Sequence, residues 1–488
     1  MPIQILDAAT AFENNRQPNS AWPRTPEAQA ARLTGIAKPV YQPSFQIDAK
    51  DRIYTMGSCF ARNVEAQLMQ LGMNVAAADL RFPEHLAIAG DRGRAMLNKF
   101  VVQSIESEIR WALDPSTPFP KESLWEMKPG RFVDPFLGNS LAPQSLDDVM
   151  ARREIITNWF AKIVDAKVVI ITLGLAEAWF DTQTQAYLNI APPRSMRNAD
   201  PDRLQLHILS YDDVIGSLER IHALLSQHLA PDWKMLVTVS PVALGSSFSG
   251  KDALIANTYS KSVQRAAVQA FVIGHDNVDY FPSYESIMLS NRELAWEEDQ
   301  AHVSAMAVRS NMLRMVQAYA GASADVSEEQ MGAGLAALDL TQAASALSKN
   351  GQMDEALRLY EAASATSNDP NILVAHGRFL TTLERYDEAA VILKRAADHG
   401  GEHFGVHYML GNALRLARRF EEADPEFALA IEREPNKPGI LFGAAKVKAA
   451  LRKNDQAAIL LKRVLALTPE NASAMKMLGA LEGAPQGA

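Results

Sequence analysis

Cysteine is almost absent from this chain, since Cys59 is the only one among 488 residues. No intrachain disulfide can therefore form, and a zinc module built from several cysteines is excluded. The chain also lacks a run of about 18 apolar residues, the length that a membrane-spanning helix needs. Its first residues show no basic segment followed by an apolar one, so they do not read as a signal peptide. These absences predict a cytoplasmic protein.

An excess of basic residues is missing as well. The net charge of −9 argues against nucleic acid as the main partner. Residues 336–488 hold 18 basic and 19 acidic residues, a net charge of −1, and residues 1–335 carry the remaining −8. The hydrophobic content of 48% and the charged content of 22% are typical of a globular protein. The length and the repeat described next predict two domains, at residues 1–330 and 336–488.

The last third of the chain contains a repeat of about 34 residues. Each unit has an alanine after a polar turn, a small residue twelve positions earlier and a large residue four positions later. Small residues let two antiparallel helices approach closely, and large residues fill the space between successive helix pairs. The alanines are Ala356, Ala389, Ala423 and Ala457; the small residues are Ala344, Gly377, Gly411 and Ala445; the large residues are Tyr360, Leu393, Phe427 and Leu461.

This spacing resembles that of tetratricopeptide repeats. The resemblance implies an all-α solenoid that binds a protein or peptide partner on its concave face. Arg378, Asn412 and Lys446 share one repeat position and are the candidate partner-binding residues. One interpretation is that they line a groove that binds an anion or a carboxylate. The other is that they form a row of solvated polar side chains.

The N-terminal part alternates short apolar runs with longer amphipathic segments. This alternation predicts an α/β fold with a parallel sheet covered on both faces, and a site at the carboxyl ends of its strands. The expected strands are 53–56, 73–76, 167–173, 234–240 and 278–281, and the expected helices are 60–71, 95–113, 146–164, 213–228, 252–271 and 300–319.

Two short motifs carry the residue types of a covalent acyl-transfer site. The first strand leads into Gly57, Ser58 and Cys59, and Asp299 stands three positions before His302. A nucleophile, a base and an acid that orients the base are the three parts of such a site. Because the two motifs lie about 240 residues apart, only the fold can bring them together.

Residues 57–61 (GSCFA) look like the motif of the GSCFA domain, and residues 172–179 (TLGLAEAW) resemble its middle motif. Residues 240–242, 257–261 and 283–285 also look like that domain, so the likeness extends over roughly residues 40–320. The family is itself similar to the SGNH (GDSL-type) hydrolases. The resemblance implies a flavodoxin-like three-layer α/β/α fold that cleaves or transfers acyl esters.

The same resemblance assigns roles to the two motifs. His302 matches the general base of the hydrolases, and Asp299 matches the acid that orients it. Aligned without a gap, Cys59 meets the nucleophilic serine, whereas a shift of one residue makes Ser58 the nucleophile. We favour Cys59, because a thiol at a helix N-terminus near a histidine suits thiolate chemistry. The competing interpretations are a buried structural cysteine and a serine that caps a helix.

The oxyanion-stabilising groups depart from the hydrolase pattern. Gly174 matches the hydrolase motif, but Ala176 occupies the position of its asparagine. The backbone N–H groups of the nucleophile and of Gly174 remain candidate donors. Asn98 is the substitute that we predict for the missing amide, with a helix-capping or turn asparagine as the alternative. Glu177 is either a substrate contact or a buried partner of an arginine.

These residues predict an acyl-ester hydrolase or O-acyltransferase acting on an acylated sugar, a glycan or a similar ester. The rival prediction is a non-catalytic interaction protein, motivated by the missing asparagine. No cofactor and no metal are expected. Three histidines spaced by four residues, His399, His403 and His407, are weak ground for a metal site, because Gly400 and Gly401 interrupt any helix through them.

Overall fold

The computed structural model describes residues 2–76, 82, 83, 86, 94–137, 142–319, 328–399 and 404–482. The chain forms two compact units that divide between Met331 and Gly332. The first unit is α/β and the second is entirely helical, so the predicted fold class is confirmed.

The strands of the described residues lie in the first unit. They are β1 Ile53–Gly57, β2 Trp125–Lys128, β3 Arg131–Val133, β4 Val168–Leu173, β5 Glu177–Asp181, β6 Ala186–Leu188, β7 Leu204–Ile208, β8 Lys234–Val239 and β9 Val278–Tyr280. The helices of this unit are α1 Ala8–Asn15, α2 Pro26–Arg32, α3 Cys59–Gln70, α4 Val102–Leu113, α5 Leu146–Ala161, α6 Arg194–Ala199, α7 Tyr211–His228, α8 Ala253–Ile273, α9 Ser283–Met288, α10 Arg292–Ala295 and α11 Ala305–Tyr319.

A four-stranded parallel sheet forms the centre of the first unit, in the order β1-β4-β8-β9. The strands β1 and β4 are buried along their whole length, which explains their nearly continuous apolar sequences. The strand expected at residues 73–76 is reduced to a single parallel bridge between Val75 and Ile53. With that bridge counted as a strand, the order is the 2-1-3-4-5 of doubly wound folds.

Two groups of helices pack among themselves and also contact the sheet. One group contains α4, α5, α7 and α8, and the other contains α3, α9 and α11. Strands β5, β6 and β7 form a separate antiparallel sheet that the sequence analysis did not predict. The helix expected at residues 95–113 begins only at Val102, because residues 98–100 run beside β1 and β4.

The second unit consists of antiparallel helix pairs. Its helices are α12 Glu328–Lys349, α13 Met353–Thr366, α14 Pro370–Thr382, α15 Tyr386–Asp398, α16 Phe404–Leu416, α17 Phe420–Arg433, α18 Pro438–Ala450, α19 Asn454–Leu467 and α20 Ala472–Glu482. A Cβ atom on Gly377 would lie 2.5 Å from Leu393 Cγ, and one on Gly411 would lie 3.1 Å from the Phe427 ring. The small residue of each of these repeats therefore packs against the large one, as its spacing predicted.

The turns inside the helix pairs share one backbone conformation. Gly351, Glu384, Arg418 and Arg452 have positive φ angles between 58° and 80°. Each stands just before the residue that caps the following helix. Only the first repeat fills this left-handed position with glycine, which adopts it without steric cost.

Candidate functional site

The turn after β1 places Ser58 and Cys59 at the carboxyl edge of the sheet. Gly57 has a φ of 135°, and a Cβ atom there would lie 2.1 Å from the carbonyl oxygen of Thr172. Only glycine fits this close approach of β1 to β4. Ser58 is the N-cap of α3, and its Oγ accepts a hydrogen bond from Phe60 N–H at 3.3 Å. The N–H of Ser58 donates to Thr172 O at 3.3 Å.

Cys59 is the first residue of α3 and is partly exposed, whereas Ser58 is buried. Burial raises the pKa of the Cys59 thiol above its ordinary value. The charge of Lys261 and the backbone N–H groups of Phe60 and Cys59 act in the opposite direction, because they favour the thiolate. The effect of burial is the larger one, so the pKa of the thiol is raised overall.

Gly174 follows β4 and packs against the nucleophile turn. A Cβ atom on Gly174 would lie 2.6 Å from Phe100 O and 3.3 Å from Ser58 Cβ, so a larger residue does not fit. The neighbouring N–H of Leu175 donates to Phe100 O at 2.7 Å. Residues from the ends of β1 and β4 and from the segment before α4 therefore meet here.

Asn98 lies beside the end of β1, where it forms a parallel bridge with Gly57. The segment is held by Asn189, which sequence reasoning missed: its side chain donates to Asn98 O at 2.7 Å and accepts from Phe100 N at 2.8 Å. The Asn98 side chain is buried, and its Oδ1 has no hydrogen-bond partner among the described residues. The unpartnered atom is a hydrogen-bond acceptor, so a donor role for Asn98 toward an oxyanion would fall to its Nδ2 group.

Asp299 and His302 form a compact pair in an exposed turn before α11. The Nδ1 atom of His302 lies 2.5 Å from Asp299 Oδ2, and Asp299 Oδ1 accepts from the N–H groups of Ala301 and His302 at 2.9 Å. These N–H groups and the His302 ring lower the pKa of Asp299 to about 2. The carboxylate is therefore ionised at neutral pH and orients the imidazole.

The pair is attached to the same edge of the sheet as the nucleophile turn. Ala243 N, in the loop after β8, donates to Ala301 O at 3.3 Å. Among the described residues, however, no hydrogen bond joins the His302 ring to Ser58 or Cys59, and His302 is 61% exposed. Catalytic hydrogen bonds are often long without substrate and shorten in the complex.

Glu177, at the start of β5, is hydrogen-bonded to the loop between β8 and α8. Its carboxylate accepts from the Ser247 hydroxyl at 2.6 Å and from Phe248 N–H at 2.8 Å. These partners differ from the arginine considered in the sequence analysis. Ala176, in the position of the hydrolase asparagine, donates its N–H to Ser260 Oγ at 2.8 Å.

Sequence reasoning missed Lys261 and Gln264 as site residues. Both are buried on α8, and they donate to the carbonyl of Gly174 at 2.7 and 3.2 Å. Burial lowers the pKa of Lys261 to about 7. The signal that could have found them is their position: they follow the helical period of the buried stripe of α8.

In the helical unit, Arg415 interacts with two of the three candidate partner-binding residues, Asn412 and Lys446. Its guanidinium donates to Asn412 Oδ1 at 2.7 and 3.1 Å, and its charge lowers the pKa of Lys446 in addition to the effect of burial. Lys446 Nζ lies 4.3 Å from the centre of the Phe442 ring. Arg378 is exposed, and its charge acts on Tyr360.

Among the described residues, no group of three or more histidine, cysteine and acidic side chains could hold a metal ion. His407 Nδ1 lies 2.7 Å from Glu426 Oε2, and His403 lies outside the described residues. No helix in the described part of the chain is long and apolar enough to cross a membrane.

The fold and the site geometry define a doubly wound α/β protein joined to a helical repeat unit. The chain belongs to the GSCFA family, whose model matches residues 52–314, more than half of the chain. A tetratricopeptide repeat model matches residues 340–374.

The solved structures that are similar to this chain include MamA and YrrB. MamA 41-end from Desulfovibrio magneticus RS-1 is 19% identical, and the match covers 30% of this chain and 83% of that one with a TM-score of 0.29. YrrB, described as a TPR protein with an unusual peptide-binding site, is 18% identical, with coverage of 35% and 80% and a TM-score of 0.28. The comparison with curated proteins finds no match.

Proposed function

We propose that the α/β unit is an acyl-ester hydrolase or O-acyltransferase that acts on an acylated sugar, a glycan or a similar ester. The observation that carries the proposal is a partly exposed thiol at a helix N-terminus, on the carboxyl edge of a parallel sheet. Ligand sites of open α/β sheets lie at this edge. Gly174 and Asn98 border the turn, and the Asp299–His302 pair is attached to the same edge.

In the proposed reaction, His302 takes the thiol proton as Cys59 Sγ attacks the acyl carbonyl carbon, and the carbonyl oxygen becomes an oxyanion; the imidazolium then returns that proton to the leaving alkoxide. The N–H groups of Cys59 and Gly174, with the Asn98 amide, stabilise that charge. Collapse releases the alcohol and leaves a thioester on Cys59. Water or a sugar hydroxyl then attacks the thioester, with His302 removing its proton and Asp299 holding the imidazolium. Ser58 is the alternative nucleophile, and its position as the buried N-cap of α3 favours Cys59.

The test is turnover by the full chain of acetylated sugars and of synthetic p-nitrophenyl esters. The wild type is expected to release acyl groups, and the double change Ser58→Ala/Cys59→Ala to remove that turnover. Full turnover by the double variant would contradict the mechanism.

We further propose that the helical unit recruits a protein partner through an acidic segment. Arg415 and Lys446 are cationic neighbours, and neither interacts with a carboxylate among the described residues. Two adjacent cations repel each other unless an anion joins them. A peptide rich in glutamate matches this chemistry.

We expect the full chain to bind a fluorescein-labelled polyglutamate peptide at least about tenfold more tightly than its glutamine counterpart, and more weakly as salt rises. Lys446→Glu is expected to lower that affinity about tenfold, because it reverses a charge beside Arg415. Lys476→Glu, on α20, serves as the control, and fluorescence anisotropy measures binding. Equal affinity for both peptides would contradict the charge argument.

A non-catalytic interaction protein is the second candidate function. Two observations favour it: Ala176 replaces the hydrolase asparagine, and no hydrogen bond joins His302 to Cys59. In that case the wild type turns over no ester in the panel, and the double variant Ser58→Ala/Cys59→Ala binds the polyglutamate peptide as the wild type does.

A further inference from the structure

Lys261 is a buried cation without a carboxylate. It lies in the middle of α8, it is 1% exposed, and it donates a hydrogen bond to a neutral group, the carbonyl of Gly174. A buried charge is costly unless it is paired, so such a lysine requires an explanation.

Two other buried cations of the same unit show the usual solution. Lys99 Nζ contacts Glu108 Oε1 at 2.5 Å, and Arg153 contacts Glu108 and Asp134. Lys261 differs from both, because the one charged group that acts on it among the described residues is the Cys59 thiolate.

The geometry places Lys261 at the nucleophile turn. Its hydrogen-bond acceptor, Gly174, is the residue that packs against Ser58, one position before Cys59. The charges of Lys261 and Cys59 act on each other. Helix α7 and strands β8 and β9 pack against α8, and three of their charged groups have other partners: Arg220 pairs with Glu106, Glu219 lies 2.9 Å from His275, and Asp279 accepts from the Tyr319 hydroxyl.

Burial shifts the pKa values of Lys261 and Cys59 in opposite directions. It lowers the pKa of Lys261 to about 7 and raises that of Cys59. At neutral pH a substantial fraction of Lys261 is therefore a free amine, while the Cys59 thiol, whose charge interacts with that of Lys261, still holds its proton. A base whose pKa lies near the working pH is the most effective proton acceptor.

We propose that Lys261 is the group that accepts the thiol proton of Cys59 during acyl transfer. This inference rests on the proposed function and replaces the histidine at the first step. As the Sγ–carbon bond forms, the S–H proton moves to Lys261 Nζ and the π electrons move to the carbonyl oxygen. When the carbon–oxygen bond breaks, the ammonium returns that proton to the leaving alkoxide, which restores the amine. His302 then serves the attack of the acceptor on the thioester.

The test uses alkylation of Cys59 by iodoacetamide, which needs the thiolate and no acyl substrate. Because Cys59 is the only cysteine, intact mass reports its modification directly. The wild-type rate is expected to rise with pH around 7, since the amine form of Lys261 then accepts the proton. Lys261→Met is expected to lower the rate at pH 7 about tenfold and to move the rise to higher pH.

Lys261→Arg separates a proton acceptor from a fixed charge. Arginine keeps a positive charge beside the thiolate but cannot act as a base. Alkylation is therefore expected to stay at or above the wild-type rate, while ester turnover falls about 100-fold. Lys251→Met, at an exposed lysine before α8, is the control that should match the wild type. Lys261→Gln, which can still donate to Gly174 O, replaces Lys261→Met if that variant does not fold by circular dichroism.

Alkylation that is unchanged within about twofold in Lys261→Met or Lys261→Gln at every pH would overturn the proposal. If the wild type turns over esters while alkylation is unchanged in these variants, the role of Lys261 is overturned and the proposed function stands. Lys261-dependent alkylation without turnover of any acyl ester instead overturns the proposed function, and supports proton transfer between the two side chains.

Discussion

Replacing Cys59 with alanine is expected to lower kcat/KM for acyl esters about 10,000-fold, whereas Ser58→Ala is expected to lower it less than about tenfold. Cys59 supplies the attacking atom in the proposed mechanism. The Ser58 hydroxyl is buried and accepts a hydrogen bond from Phe60 N–H, so its loss removes a helix cap. A lost N-cap costs about 1 kcal/mol of stability and leaves the chemistry in place.

The measurement is steady-state turnover of p-nitrophenyl acetate by both variants, with circular dichroism confirming the folded fraction. Cys59→Ser is an informative third variant, because it keeps a nucleophile of similar size with a much less acidic proton. The reverse pattern, with Ser58→Ala inactive and Cys59→Ala active, would assign the chemistry to the hydroxyl.

Replacing Arg153 with methionine is expected to lower the free energy of unfolding by about 3–5 kcal/mol. Arg153 is buried between two acidic side chains, with Nη1 lying 2.8 Å from Glu108 Oε1 and Nε lying 2.9 Å from Asp134 Oδ2. Methionine fills much of the volume but removes the cation that contacts both buried carboxylates; Lys99 still contacts Glu108, and the charge of Arg152 still acts on Asp134. Denaturant unfolding measures the loss.

The matched control is Arg110→Met in the same unit. Arg110 is 43% exposed and pairs with Glu106, which keeps a second partner in Arg220. We therefore expect a loss of less than about 1 kcal/mol. Equal losses for Arg110→Met and Arg153→Met would contradict the view that burial decides the cost.

The free energy of unfolding that is lost in Arg153→Met is expected to depend on pH. Burial by itself raises the pKa of Glu108, but the charges of Arg153 and Lys99 outweigh it and hold that pKa below its usual value. The wild type therefore loses stability as the pH falls through the acidic range. Without Arg153 the carboxylates bind protons more readily in the folded state. The difference in the free energy of unfolding between the wild type and Arg153→Met should thus be largest near neutral pH and smaller in acid.

The sequence predicted those parts of the fold whose apolar residues follow one period. Strands β4 and β8 are continuous buried runs, and the repeat of small and large residues fixed the helical unit. The antiparallel strands β5 and β7 were missed, because each is only partly buried and has no clear alternation. The residues before α4 were mistaken for helix, since their hydrogen bonds go to Gly57 and Leu175, far away in sequence.

The candidate site was predictable to the extent that its residues stand in local motifs. Cys59 and Ser58 follow a strand, and Asp299 and His302 pair within one turn. Lys261 was not predicted as a site residue, because a lysine inside a long helix usually lies at the surface. Its position in the helical period of the buried stripe of α8 was the available signal, and the structure shows the buried ammonium donating to the carbonyl of Gly174, just after β4.

The most direct test of an acyl-transfer site is intact mass after brief mixing with p-nitrophenyl acetate. The account predicts an acetyl adduct on Cys59 that is absent in Cys59→Ala and accumulates in His302→Ala, because the histidine is needed to resolve the thioester. An adduct that persists unchanged in Ser58→Ala/Cys59→Ala, or no adduct on any folded variant including the wild type, would contradict it.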